Sequence, residues 1–354
     1  MSRRSLALRV ISFLAVLGLA AAACSSSNAS TGSTCDTAAN QPVITFAAYS
    51  TPREVYGKII PAFVDQWKTD HNGQSIIFQE SYAGSTTQSQ NIIGGFKADV
   101  FAASLAPDIT AIQNAGLITH DWTQAPDKGM VSTSVVVFDV RPNNPLGIQD
   151  FNDLAKPGVG VLTPDPAASG GARWNIVAAY GAALRGYAGV QKGDTAGAQS
   201  LLQGIFHNVV ALDKSARDSI KNFESGNGDV ALTYENEVFT AQHAGLPDQA
   251  VYPPSTVLIE NPVAVIDKNA KAHCVEDIAN AFVNYLHTKE AKDLYTTVGF
   301  LRPTDFAAAQ KGGGMFPKIN DLFTVDDFGG WPSLDTKVFG TQGVFTKAFA
   351  ASGQ

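Results

Sequence analysis

The stretch SGGARWN, residues 169–175, begins a predicted helix whose first turn contains no acidic side chain. Ser169 is the expected N-cap, and Gly170, Gly171 and then Arg173 follow it. Helix N-termini are partly positive, so Asp or Glu is common there and Arg is unfavourable. Two interpretations are open: either an external anion binds the free N–H groups of the glycines, or the glycines only permit close packing against a sheet.

Three further loops have the same kind of composition. A predicted strand through Tyr49 leads to Ser50, a second strand leads to Ser85 as an expected N-cap, and a third leads to a polar turn ending at Ser219. Alternating strands and helices predict α/β lobes with mostly parallel sheets, which bind ligands at the carboxyl ends of their strands. Four loops rich in uncharged donors and poor in acids therefore favour an anion site.

Motifs typical of enzymes are missing from the sequence: it contains no GxxxxGK[ST], nucleotide-binding GxGxxG, GxSxG or HExxH. Glu235 and Glu237 in the segment YENE are interpreted as an ordinary polar strand edge rather than an acid and base pair. His273 adjoins Cys274, but no other metal ligand has useful spacing. We therefore expect a binding protein with no catalytic residues, no cofactor and no metal.

The N-terminus predicts export from the cytoplasm. Residues 1–23 have the arginines and the short apolar run of a signal peptide, and Cys24 follows small residues as in a bacterial lipobox. Lipidated Cys24 would anchor the protein to the membrane, with residues 24–40 as a flexible tether. The alternative is an ordinary secretory signal with an incidental cysteine. Cys35 and Cys274 are then left, and outside the cytoplasm we expect them to form a disulfide.

The remaining chain of roughly 310 residues exceeds a usual single core and predicts two lobes. Charged residues make up 16% of the sequence and the formal net charge is −7. This balance argues against a nucleic-acid partner and against membrane contact other than through the lipid anchor. An anion site in such a protein must depend on local dipoles and hydrogen-bond donors rather than on a basic patch.

Several motifs resemble those of the periplasmic sulfate-binding proteins of ABC importers, the prokaryotic sulfate and thiosulfate receptors. They include AYSTPREVY, SYAGSTTQ, PDPAASGGARWN and GDVALTYENE, within a similarity that runs from about Val43 to Pro303. The resemblance implies an α/β fold of type II, with two lobes, each a mostly parallel sheet flanked by helices, and a hinge between them. We expect lobe I to comprise residues 41–131 and 262–354, and lobe II residues 132–261. The chain should cross between the lobes near 132–135 and 257–262.

The resemblance also implies a set of ligand donors. They are Ser50, Ser85, Ser169, Gly170, Gly171, Ser219 and Tyr234, with Arg173 and Arg217 as supporting residues behind them. The sequence departs from the family at Ser50, where Asp is usual, and at Tyr234, where Trp is usual. The fourth loop carries Asp218 beside Ser219 and is one residue shorter than in the family, so its register is open.

The function implied is that of a monomeric receptor that captures sulfate and delivers it to ABC permease subunits. The alternatives are a receptor for thiosulfate, molybdate or phosphate, and a secreted phosphate-ester hydrolase. A pocket of donors suits sulfate, since sulfate only accepts hydrogen bonds whereas phosphate must also donate one. We expect sulfate affinity to be nearly flat between about pH 5 and 8, unless Asp218 faces the pocket.

Overall fold

The computed structural model describes residues 41–354. The predicted signal peptide, the lipidation of Cys24 and the position of Cys35 lie outside the described residues. Cys274 is disulfide-bonded, and its pairing with Cys35 stays a prediction. Among residues 41–354, no helix combines the length and the apolar character needed to cross a membrane.

The described chain alternates strands and helices, as expected. Its strands are β1 (Val43–Tyr49), β2 (Ile77–Ala83), β3 (Val100–Ala102), β4 (Met130–Val140), β5 (Val161–Pro164), β6 (Val209–Asp213), β7 (Val230–Tyr234), β8 (Gln249–Val251), β9 (Ser255–Val265) and β10 (Asp321–Phe323). Its α-helices are α1 (Arg53–Asp70), α2 (Ser85–Ile93), α3 (Ala106–Asn114), α4 (Gly170–Leu184), α5 (Thr195–His207), α6 (Ala216–Glu224), α7 (Glu235–His243), α8 (Asp267–Ala272), α9 (Glu276–Leu286), α10 (Lys289–Thr297), α11 (Phe306–Lys311), α12 (Gly330–Lys337) and α13 (Val344–Ser352).

The strands form two sheet regions, one in each lobe. In lobe I the order is β2-β1-β3-β9, with β1 parallel to β2 and β3, and β9 antiparallel to β3. In lobe II the order is β4-β7-β5-β6, with β5 parallel to β6 and β7, and β4 antiparallel to β7. The prediction of two mostly parallel sheets flanked by helices is confirmed. In each lobe the strand carboxyl ends lead into helix N-termini, which is where open α/β sheets bind ligands.

Strands β4 and β9 connect the two lobes. Each is 11 residues long. The C-terminal half of β4 pairs with β7 of lobe II, and the C-terminal end of β9 pairs with β3 of lobe I. Between the sheets they pair with each other in antiparallel register, from Ser132 opposite Asn261 to Val135 opposite Leu258. These segments coincide with the predicted crossings near 132–135 and 257–262. A two-stranded connection of this kind allows the lobes to move as units about it.

The C-terminal segment packs differently from the expectation that residues 262–354 belong to lobe I. Phe323, Leu334 and Phe345 are buried in the hydrophobic cluster of lobe II. Phe345 contacts Phe206 of α5 with ring centroids 5.0 Å apart, and β10 pairs with β9. Helices α9 and α10 remain in the cluster of lobe I. The chain therefore passes between the lobes again after α10, because its last apolar side chains are buried against α5.

Candidate functional site

A small cavity lies between the lobes, at the carboxyl ends of the strands. Its volume is about 10 Å³, close to the minimum that a single water molecule requires. Its lining residues are all uncharged: Tyr49, Ser50, Thr51, Gly84, Ser85, Ser104, Ser169, Gly171, Ala216 and Tyr234. The closed cavity thus presents hydroxyl and backbone groups to a very small space, which must widen slightly to admit a polyatomic ion.

Three helices begin at this cavity, which explains its composition. Helices α2, α4 and α6 start at Ser85, Gly170 and Ala216, and each follows a strand that ends nearby. The first turns of α2 and α4 contain no acidic residue. The unpaired N–H groups of a helix start favour negative charge. Because these helix starts meet at one point, they create positive potential there without any basic side chain.

The two glycines of the opening stretch have different surroundings. A Cβ atom at Gly171 would stand 3.3 Å from Ala216 Cβ and 3.5 Å from Tyr234 Cε1, at the wall of the cavity. A Cβ atom at Gly170 would stand 2.1 Å from Leu105 Cδ2, and Gly170 is not among the lining residues. Both interpretations of the stretch therefore apply, one to each residue: Gly170 gives packing clearance and Gly171 faces the cavity.

Ser85 lines the cavity but does not cap its helix as predicted. The N-cap of α2 is Gly84. Ser85 Oγ donates a hydrogen bond to Asp108 Oδ2 (2.6 Å) and accepts one from the Ser104 N–H group (2.9 Å). Asp108 is buried, and burial raises its pKa to about 6, although the hydrogen bond from Ser85 and the charge of Arg173 oppose the rise. One carboxyl group therefore stands directly behind the neutral wall of the cavity.

Tyr234 lines the cavity on the side of lobe II. Its hydroxyl lies 2.6 Å from Ser104 Oγ of lobe I, and burial raises the pKa of its phenol, so that it stays protonated near neutrality. Two other lining hydroxyls, those of Tyr49 and Thr51, are buried and make no hydrogen bond of normal geometry among the described residues, although the Tyr49 hydroxyl lies near the side chains of Thr51 and Ser132. Buried donors of this kind are usually satisfied, which points to a ligand that accepts their hydrogen bonds.

The fourth loop contributes Ala216, not Ser219. Ser219 lies one turn further along α6, is buried and is absent from the cavity lining. Asp218 accepts a hydrogen bond from the Ser215 hydroxyl (2.8 Å) and likewise does not line the cavity. The structure thus places Ala216, rather than Ser219, at the cavity wall. Ala216 offers a ligand only its backbone N–H group, and a backbone group cannot be recognised from the residue type.

The two arginines named as supporting residues have separate roles. Arg173 turns away from the cavity and pairs with Asp335. Arg217 lies between the lobes, where it pairs with Glu54 of lobe I (2.5 Å) and Glu237 of lobe II (2.6 Å). Although burial opposes its charge, these two carboxylates raise the pKa of Arg217. Arg217 therefore holds the lobes together next to the cavity.

Glu235 and Glu237 do not form a polar strand edge as predicted. Both lie in the first turn of α7 and are buried. Glu235 is paired with Arg302, which is also buried, and accepts a hydrogen bond from the Tyr252 hydroxyl. Each glutamate is thus held by an arginine distant in the chain. Such a pairing depends on tertiary contacts that a strand-like pattern does not encode.

The lobes are closed around the cavity. The Thr87 N–H group of lobe I donates to the Ala168 carbonyl oxygen of lobe II (3.1 Å), and the Trp174 indole donates to the Ser104 carbonyl oxygen (2.8 Å). Gly84 lies against the same surface, because a Cβ atom there would stand 2.4 Å from the Ala168 carbonyl oxygen. The closed arrangement buries the lining residues and removes them from water.

Comparisons with known proteins agree with this site. The family model for bacterial extracellular solute-binding proteins matches residues 44–301. A sulfate-binding protein of Synechococcus elongatus is 38% identical over 92% of this chain and 91% of its own, and one of Escherichia coli is 38% identical over 84% and 90%. The solved structure of the sulfate-binding protein SubI from Mycobacterium tuberculosis H37Rv has a TM-score of 0.74 and 36% identity, covering 83% of this chain and 98% of that chain.

Proposed function

The chain belongs to the bacterial extracellular solute-binding protein family, and we propose that it captures sulfate outside the cytoplasm for an ABC importer. The observation that carries this proposal is the closed cavity lined only by uncharged groups. Hydroxyl and backbone N–H groups supply donors, and a fully deprotonated dianion supplies only acceptors. Helix starts at α2, α4 and α6 stabilise the ion's charge, and closure excludes the water that would weaken these interactions.

The proposed capture proceeds in two steps. In the open form, sulfate meets the helix starts of one lobe. Closure about β4 and β9 then brings the second lobe to the ion, so that Ser85 of lobe I and Tyr234 of lobe II both face it. Ala216 replaces Ser219 in the proposed ligand set, since only Ala216 lines the cavity. We further propose that a monomer anchored through lipidated Cys24 presents the closed form to permease subunits, and that it has no catalytic activity.

The test is a competition experiment. Isothermal titration of the purified protein should give sulfate binding that an excess of phosphate does not displace, because a buried phosphate would leave its own O–H group unmatched or lose its proton. Thiosulfate and molybdate are titrated in parallel. Tighter binding of phosphate or molybdate would overturn the sulfate proposal. Turnover of a chromogenic phosphate ester would instead revive the hydrolase alternative.

Asp108 changes the expected pH dependence. Its pKa of about 6 in the folded protein should rise further when a dianion binds beside Ser85, because two negative charges repel. Binding then takes up a proton, so that affinity increases as the pH falls through this range. Protonated Asp108 also donates to Ser85 Oγ, which frees the Ser85 proton for sulfate. If the pKa rises by about one unit, sulfate binds about tenfold more tightly at pH 5 than at pH 8.

This dependence is measured by titration of sulfate at several pH values. Asp108→Asn is the matched variant, since Asn keeps an acceptor for Ser85 but cannot ionise. We expect a flat profile for Asp108→Asn and affinity at pH 8 no weaker than that of the native protein. A flat profile in the native protein, or the same slope in Asp108→Asn, would exclude Asp108 as the titrating group. The sequence had instead predicted a nearly flat profile, with Asp218 as the one carboxylate that could disturb it.

A further inference from the structure

A second, larger cavity opens beside the ligand cavity, at the mouth of the cleft. It has a volume of about 730 Å³ and shares Ser50 and Gly84 with the ligand cavity. We call it the vestibule. Both lobes line it, since Arg53 belongs to lobe I and Lys214 and Lys221 belong to lobe II. An ion entering or leaving the ligand cavity past Ser50 must cross this space.

The vestibule is positively charged although the protein as a whole is not. Its lining contains four cations, Arg53, Lys214, Arg217 and Lys221, and two acids, Glu54 and Asp218. The chain as a whole has a formal net charge of −7. Glu237 pairs with Arg217 from behind the lining and reduces the formal sum to +1, so the charge at the cleft mouth still has the opposite sign to that of the whole protein.

Three of these cations are available to an external ion. Arg217 is already held by two glutamates. Arg53, Lys214 and Lys221 are exposed, and none of the three forms an ion pair with another residue in the described part of the chain. Arg53 lies over the Tyr82 ring, 5.4 Å from its centroid, which limits the positions that its guanidinium can take.

We propose that Arg53, Lys214 and Lys221 form an outer anion site that captures the dianion before it enters the ligand cavity. This inference rests on the proposed function and adds a kinetic role for residues outside the cavity. A protein of net charge −7 repels sulfate at long range, and local positive charge in a cleft concentrates anions there. Such local fields raise association rates by about 10- to 1000-fold.

The same geometry explains why these cations do not set the final affinity. They lie outside the closed lobes, where water and salt screen them, whereas the bound ion is held by neutral groups in the ligand cavity. Removing them should therefore slow association and leave dissociation unchanged. In the closed form Arg217 and its glutamates stand between the lobes beside Ser50, so the ion leaves only after that contact opens.

The test is stopped-flow measurement of sulfate binding by the full-length protein carrying Arg53→Gln, Lys214→Gln and Lys221→Gln together. The control replaces three exposed lysines that do not line the vestibule, Lys68, Lys271 and Lys347, by Gln, which changes the net charge equally. At an ionic strength of about 0.01 M, where charges act over about 30 Å, we expect association to slow about tenfold or more in the vestibule variant. We expect less than about a threefold change in the control, because its charges lie away from the cleft mouth.

The difference should disappear at an ionic strength of about 1 M, where the Debye length is about 3 Å. Equal slowing of both triple variants would overturn the outer site and assign the effect to net charge. A faster dissociation rate in the vestibule variant alone would also overturn it, because these side chains would then hold the bound ion. If the native protein binds no sulfate in equilibrium titration, the proposed function itself fails, and that result is obtained before any variant is compared.

Discussion

Replacing Gly171 by Asp is expected to abolish sulfate binding while the empty protein stays folded. The new Cβ atom would stand 3.3 Å from Ala216 Cβ and 3.5 Å from Tyr234 Cε1, which directs the carboxylate into the cavity. It would fill the space of the ion, repel the ion's charge and occupy the N–H groups that bind it. We expect affinity to fall at least about a thousandfold, or about 4 kcal/mol.

Isothermal titration measures this loss, and thermal unfolding checks the fold. Gly57→Asp is the matched control, because Gly57 lies on the exposed face of α1 and a Cβ atom there would meet nothing within 4 Å. The control should bind sulfate as the native protein does. Sulfate affinity of Gly171→Asp within tenfold of the native value would place the ligand elsewhere.

Gly84→Ala is expected to weaken binding by preventing closure. A Cβ atom at this position would stand 2.4 Å from the Ala168 carbonyl oxygen and 2.6 Å from that of Lys214, both on the opposite lobe. These are backbone atoms, which cannot move to relieve a steric clash as the end of a long side chain can. The φ of −58° and ψ of 136° at Gly84 suit alanine, so the substitution affects only the closed form. We expect affinity to fall at least about a hundredfold, or about 2.7 kcal/mol.

Two measurements separate impaired closure from a damaged site. Small-angle scattering of Gly84→Ala at saturating sulfate should give a radius of gyration close to that of the empty protein, whereas the native protein contracts. Thermal unfolding of the empty variant should stay within a few degrees of the native protein. Gly57→Ala serves as the control. If Gly84→Ala binds sulfate with native affinity, the contact of Gly84 with the Ala168 and Lys214 carbonyl oxygens is not required for the bound state.

The predicted site residues that line the cavity have local signals in the sequence. Ser50, Ser85, Ser169, Gly171 and Tyr234 lie at or after the end of a strand, in segments whose residue types also match the family motifs. All five line the cavity. A loop between a strand and a helix is recognisable from neighbouring residues alone, because caps, glycines and apolar periodicity act over a few positions.

The residues at the cavity that the sequence did not predict have no local signal of this kind. Ala216 contributes a backbone N–H group, and Ser104 follows β3, a strand of only three residues. Gly84 matters only because another lobe approaches it closely. The lobe boundary of the C-terminal segment was missed for a related reason: apolar side chains such as Phe345 show that a helix is amphipathic, but not which core buries it.

The sequence by itself determined the α/β architecture and the neutral, donor-rich character of the site, because both follow from short-range patterns and from the absence of acids in the first turns of α2 and α4. Only the tertiary structure decided which charges stand near that site. Asp108 reaches Ser85 across 23 residues of chain, and Arg217 reaches Glu54 across 163. These contacts depend on which strand ends lie next to each other when the two lobes pack and close. The spacing of residues within a short segment does not determine this arrangement.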